Sequence, residues 1–296
     1  MSGTPSNLNA FRPPFLAPSQ WRLALSNRRG RTLFFIGVCL LFMIVIITSP
    51  LWLNDSGLDT HLEDRNISPS LAHPFGTDWL GREMLTRTLY GLSLSLRTGL
   101  LAASIAAVVG LGLGLLAGIF GGKVDLAITW LVDVLMGLPH LILLILISFA
   151  MGGGMHGVII AVAATHWPSL TRIIRAETLS IKNKDYIHLS SRLGHSRWYI
   201  ARYHILPHLI PQFLVGLILL FPHAILHEAG LTFVGIGLSA HTPAIGIILS
   251  EAMRHISTGY WWLAVIPGLA LLMAVMVFDA LGENVRAILN PKTSQE

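Results

Sequence analysis

Long apolar runs separated by short polar and basic segments set the first expectation for this chain. Runs near 33–53, 92–118, 127–151, 156–174, 212–234 and 262–282 are long enough to cross a hydrocarbon core of about 30 Å as helices. The pattern predicts an all-α, polytopic membrane protein of about six transmembrane helices. Arg97 falls inside the second run and makes its start the least regular of the set. A polar and basic tail, 1–32, precedes the first run, and no small-residue cleavage site follows it. The run 33–53 is therefore expected to stay as an anchor rather than leave as a signal peptide.

Composition agrees with a bilayer as solvent. Hydrophobic residues make up 53% of the 296, charged residues only 12%, and mean hydropathy is +0.66. Soluble domains carry about a quarter charged residues, and lipid-facing surface explains the deficit. The net charge of +5 follows topology rather than a nucleic-acid surface. With the N-terminus placed inside, the 20 basic residues gather in the internal segments, leaving only Arg65, Arg82, Arg87, Arg97 and Arg254 elsewhere. The positive-inside bias thus puts both termini, including the tail 286–296, in the cytoplasm. It makes 54–91 the largest external segment and 175–211 the largest internal loop. The single cysteine, Cys39, lies in an apolar run, so neither a disulfide framework nor a cysteine metal cluster is expected.

Gly110, Gly114 and Gly118 recur every four residues and give the second run a smooth face for close helix packing. The GLGLG string there follows no strand and is not a nucleotide loop. No Walker A sequence occurs, so no ATP site of the usual kind is expected on this chain.

The internal stretch from Arg175 to Pro211 is too polar to enter lipid and too regular for a slack linker. Tyr186, Leu189, Ser190 and Leu193 fall at i, i+3, i+4 and i+7, one face of a short helix with Asp185 at its start. Gly194 is placed to stop that helix. A second amphipathic segment follows from Arg197 to Leu206 and is expected to end at Pro207. Such a pair either lies on anionic lipid or inserts into a groove on a cytoplasmic partner. Periodicity alone allows both.

The same loop resembles the coupling loop of ABC importer permeases. That family's pattern is Glu-Ala-Ala, three residues, Gly, nine residues, then Ile-x-Leu-Pro. Gly194 and Leu206-Pro207 match it, whereas His188-Leu189-Ser190 departs from the Glu-Ala-Ala slot. Asp185-Tyr186 is similar to the dipeptide, oligopeptide and nickel branch. HPFGTDWLGREMLTRTLYG (His73 to Gly91) resembles the external signature of that branch's second, C-type permease subunit. Further resemblance lies in GGKVD (Gly121 to Asp125), Asp133 and Pro139, then EAGLTFVGIGL (Glu228 to Leu238) and DALGENVR (Asp279 to Arg286).

The resemblance implies a type I (MetI-like) permease fold, with a core domain at 92–285, in a bacterial inner membrane. It implies a pore shared with a sister permease subunit, two cytoplasmic ATPase subunits that carry ATP and Mg, and a periplasmic substrate-binding protein. This chain would bind no cofactor itself. It selects the groove reading for the loop, with Tyr186, Leu189 and Leu193 in the groove, Gly194 setting the turn and Asp185 capping the helix. It also makes Thr77, Asp78, Gly81 and Arg82 candidates for a gate or binding-protein contact, against a plain role in packing the external cap.

Cargo is left open between two classes. Ionisable residues inside a span are functional candidates, and His223 and His227, one turn apart before Glu228, could share a divalent metal as transient pathway contacts. Histidines recur at His140, His156, His166, His241 and His255. These favour nickel or another metal or metal chelate, with short peptides as the alternative. An intramembrane enzyme is the rival class. It lacks a paired-aspartate dyad, a His-Glu-x-x-His motif and a serine–histidine pair in this sequence.

Overall fold

The computed structural model describes residues 28–239 and 242–289. Most of the N-terminal tail, the end of the C-terminal tail and His241 lie outside the described residues. Among those described, the regular elements are helical, apart from one antiparallel bridge between Thr77 and Glu83. α1 (Arg28–Trp52) is followed by an irregular segment with two short 3-10 turns, Asp55–Leu58 and Leu62–Asp64. α2 (Met84–Phe120) starts eight residues before the apolar run that marks it in the sequence. At 37 residues it is about 55 Å long, so its first turns stand outside a 30 Å core.

The run 127–151 is not one straight helix. It forms α3 (Gly122–Gly137) and α4 (His140–Ala150), bent by 100° at Leu138-Pro139. Proline has no N–H to continue the ladder and drives the preceding residue out of the helical region. Leu138 accordingly sits at φ −88°, ψ 145°. Hydropathy reports how apolar a segment is and not its direction, so the break was invisible to it.

α5 (Gly154–Lys182) runs on past the expected end near 174 and is the central helix. Of its most apolar window 72% is buried, against 17% for α1. It packs on α2 along the glycine ridge. A Cβ at Gly114 would stand 2.8 Å from Ile174 Cβ and Thr171 O, and one at Gly118 would stand 2.4 Å from Thr178 Cγ2. Thr171 Oγ1 donates to Gly110 O across this contact at 3.3 Å. At its end, Lys182 Nζ donates to Gly118 O (3.0 Å) and Ile119 O (2.9 Å), satisfying carbonyls that α2 leaves open. Arg97, the charge inside the second run, donates to Ile47 O of α1 at 2.6 Å.

α6 (Asp185–Arg192) follows, then α7 (Arg197–Phe233), a single 37-residue helix. Leu206-Pro207 therefore does not end a separate amphipathic helix, as the sequence suggested. Pro207 offers no N–H to Tyr203. The ladder widens to a π turn over Ala201–Ile205, with Leu206 N–H donating to Ala201 O, and the helix carries on into the membrane. α8 (Ile245–Met253), too short to span, joins α7 to α9 (Trp262–Leu289).

Candidate functional site

The segment between α1 and α2 forms a cap built around a buried carboxylate. Asp78 is fully buried. Its Oδ1 accepts from the N–H of Leu80 (2.8 Å) and of Arg82 (3.0 Å), and its Oδ2 accepts from Arg82 Nε (2.7 Å) and from Arg87 Nη1. Arg87, itself 3% exposed, donates its other nitrogen to Glu251 Oε2 of α8 at 2.7 Å. Trp79 lies beneath both guanidinium groups and stacks on His255. Thr77 Oγ1 accepts from Ile67 N–H at 2.9 Å and donates to Asp64 O, while Trp262 Nε1 donates to Thr77 O at 3.2 Å. Gly81 turns at φ +76°, and a Cβ there would fall 1.7 Å from His61 O. Thr77, Asp78 and Gly81 thus face inward, and only Arg82 of the four candidates keeps appreciable surface. Arg87 lies within the external signature without having been singled out. Glu251, 164 residues away from it, carries no local signal.

The short helix α6 inverts that arrangement. Ile187 (4% exposed) and Ser190 (6%) face the chain, while Leu189 (60%) and Leu193 (71%) point away from it, with Tyr186 at 40%. Ser190 therefore does not share the outward face assigned by periodicity; its hydroxyl meets His204 Nε2 of α7 at 3.3 Å. Trp198 and Tyr203, at the start of α7, are exposed as well. Asp185 is not the cap either. Lys184 occupies the N-cap position without a side-chain bond, and Asp185 is the first helical residue, where its charge favours the positive helix end.

The end of α6 is firmly built. Gly194 adopts φ +86°, His195 N–H donates to Ser190 O at 3.3 Å, and Gly194 N–H donates to Ser191 O at 3.1 Å. This is a Schellman closure, which needs the left-handed conformation glycine adopts without penalty. Leu206 is half-buried and Pro207 exposed at the start of the membrane part of α7.

Within the membrane, three histidines converge that the sequence keeps far apart. His140 opens α4, His166 lies in α5 and His227 in α7. Their ring centroids are 4.7–5.0 Å apart. His223, the expected partner of His227, is outside this group. It is exposed, and its carbonyl, rather than its ring, accepts from His227 Nδ1 at 2.6 Å. Glu228 is fully buried away from the cluster and accepts from Thr232 Oγ1 at 2.9 Å. Elsewhere on α5, Arg175 clasps Asp125 through two bonds and Arg172 reaches Asp133 at 2.6 Å. These pairs tie α3 to α5.

Comparison with known proteins matches this arrangement of helices. Residues 110–295 fit the family described as binding-protein-dependent transport system inner membrane component. The dipeptide transport system permease protein DppC of Bacillus subtilis is 34% identical over 96% of this chain and 89% of its own. The nickel transport system permease protein NikC of Escherichia coli K12 is 34% identical over 90% and 96%. The probable D,D-dipeptide permease DdpC of the same organism is 31% identical over 86% and 85%. Among solved structures, the inward-facing MetNI methionine ABC transporter superposes with a TM-score of 0.58 at 19% identity, over 70% of this chain and 98% of that one. An amino acid ABC transporter with histidines gives 0.51 at 19%, over 69% and 94%. Both carry the MetI-type permease fold. The chain belongs to the inner-membrane component family of binding-protein-dependent transport systems, as a C-type permease subunit of the dipeptide, oligopeptide and nickel branch.

Proposed function

We propose that this chain forms half of a translocation pore with a sister permease subunit and that α6 is its contact with a cytoplasmic ATPase. The observation that carries this reading is the outward row of Tyr186, Leu189 and Leu193 on a helix closed by Gly194. Apolar side chains held outward on a rigid turn gain nothing from water, whereas a groove on a partner removes them from it. Both termini lie in the cytoplasm on this reading, consistent with the basic residues of the internal segments. Two ATPase subunits carry ATP and Mg, and a periplasmic binding protein delivers cargo to the external side.

Coupling requires that the partner contact differ between the two states of the pore. The Schellman turn keeps α6 from yielding when its partner moves, and Ile187 and Ser190 anchor it to the chain. Movement of the groove then passes to α5 and α7, whose cytoplasmic ends flank α6. The cargo on this reading is nickel or another divalent metal, free or as a small chelate. Short peptides are the second reading, supported by the 34% identity to DppC over nearly the whole chain.

The test is ATPase activity of the purified complex in lipid with its own binding protein, with nickel, nickel chelates and di- to oligopeptides compared side by side. The complex should contain a sister permease and two ATPase subunits. Leu189→Asp should leave the subunits folded and inserted but lower cargo-stimulated hydrolysis. Full stimulation in that variant would remove α6 from the coupling path.

A further inference from the structure

We infer that His140, His166 and His227 form an intramembrane site for one divalent transition-metal ion, with a fourth coordination position left open. The inference deepens the importer reading by placing a cargo contact, and its test is separable from the coupling test. One potential ligand atom from each of the three rings lies within 4.8 Å of the other two. The three side chains come from α4, α5 and α7, so the cluster exists only because those helices pack together and the Pro139 break turns α4.

Hydrogen bonding decides which nitrogens are free. His166 Nδ1 stands 2.9 Å from Val162 O, and His227 Nδ1 stands 2.6 Å from His223 O. A carbonyl oxygen only accepts, so each Nδ1 carries the proton and each Nε2 holds a lone pair. Backbone carbonyls that fix the tautomer and ring plane in this way are the usual outer support of metal-bound histidine. His166 is only 6% exposed, and its Nε2 is buried without a hydrogen-bond partner. A buried lone pair with nothing to accept from is costly, and a cation satisfies it. His140 and His227 are half-buried, which leaves the cluster open on one side.

The donor set limits the ion. Three neutral imidazoles suit nickel, copper, zinc or cobalt, whereas magnesium and calcium call for oxygen ligands. No carboxylate belongs to the cluster, so the dication keeps its full charge. That weakens binding, as a transport step requires of a site that must also release. Bonds of about 2.0–2.1 Å in a tetrahedral site would draw the nitrogens to about 3.3 Å apart, a closure to which rotation of the half-buried His140 ring can contribute.

The complex in lipid nanodiscs is titrated with nickel chloride by equilibrium dialysis. One saturable ion per copy of this chain is expected. His166→Gln should raise the dissociation constant by about 100-fold, since losing even an outer-shell partner costs about 10–100-fold. Unaltered affinity in that variant overturns the site, as does absence of saturable binding in the unaltered complex. Loss of binding in His223→Gln with retention in His166→Gln would also overturn it, in favour of the pair on α7. X-ray absorption on the nickel-loaded unaltered complex needs no variant to fold; three imidazole ligands are expected, and any smaller number overturns the site. Leu189→Asp should bind nickel normally. Failed nickel binding with intact coupling through Leu189 removes the site alone, and the converse result removes the coupling reading alone.

Discussion

The cap between α1 and α2 and the short helix α6 solve opposite problems. In the cap, charged groups are buried and each finds its partner within the chain: Asp78 holds Arg82 and Arg87, and Arg87 holds Glu251. In α6, large apolar side chains are held in the open with nothing from the chain to cover them, Leu189 and Leu193 above all. A closed polar network fixes the shape of one end without outside help. An open apolar row is complete only with a partner. The two ends therefore differ in what a mutation breaks, stability at the cap and coupling at α6.

The largest expected effect tests the first half of that contrast. Arg87→Ala leaves the Asp78 carboxylate buried with one cation fewer, and breaking a buried pair costs about 3–5 kcal/mol. Thermal unfolding of the complex in detergent should show the loss. Replacing the whole group by uncharged residues of similar volume, Asp78→Asn with Arg82→Met, Arg87→Met and Glu251→Leu, should recover part of it, since Asn keeps an acceptor for the N–H groups of residues 80 and 82. Equal damage in the single and quadruple variants would mean the cap relies on the charges for more than mutual satisfaction.

Gly194→Val comes next. Nothing lies within 4 Å of a Cβ there, so the penalty is conformational alone. A left-handed L-residue costs about 1–2 kcal/mol, enough to open the Schellman turn locally without unfolding the membrane helices. Insertion should be normal and cargo-stimulated ATPase activity reduced. Full stimulation would show that the rigidity of the turn is dispensable.

Lys182→Met probes the place where the α6 end of the chain adopts the cap's strategy. It removes the ammonium from the carbonyls of Gly118 and Ile119, at about 0.3–1 kcal/mol for a cation at a helix C-terminus. Leu193→Ser should have the smallest effect on stability, within about 0.5 kcal/mol as for other surface changes, and still lower copurification of the ATPase subunits. A large stability loss there would mean Leu193 packs within the chain and would erase the contrast.

Legibility in the sequence tracked the range of the physics involved. Gly194 could be read because a helix stop depends on a few neighbouring residues. The glycine ridge could be read because its spacing matches a helix face, and it does meet Leu170, Ile174 and Thr178. Ser190 was assigned to the wrong side because a short helix has two faces separated by only one position, and which one is covered depends on α7. The spacing of His223 and His227 is visible locally, whereas the approach of His140 and His166 to His227 joins three separate helices.

By itself the sequence determined the membrane spans, the short helix with its glycine stop, and the family motifs. Each of these rests on hydropathy, period or adjacent residues. Tertiary structure alone decided the 100° break at Pro139, the union of Arg87 with Glu251 and the meeting of His140, His166 and His227. Bringing such distant residues within a few ångströms depends on how helices cross, and helix crossing is set by the packing of whole faces rather than by any residue's neighbours in the chain.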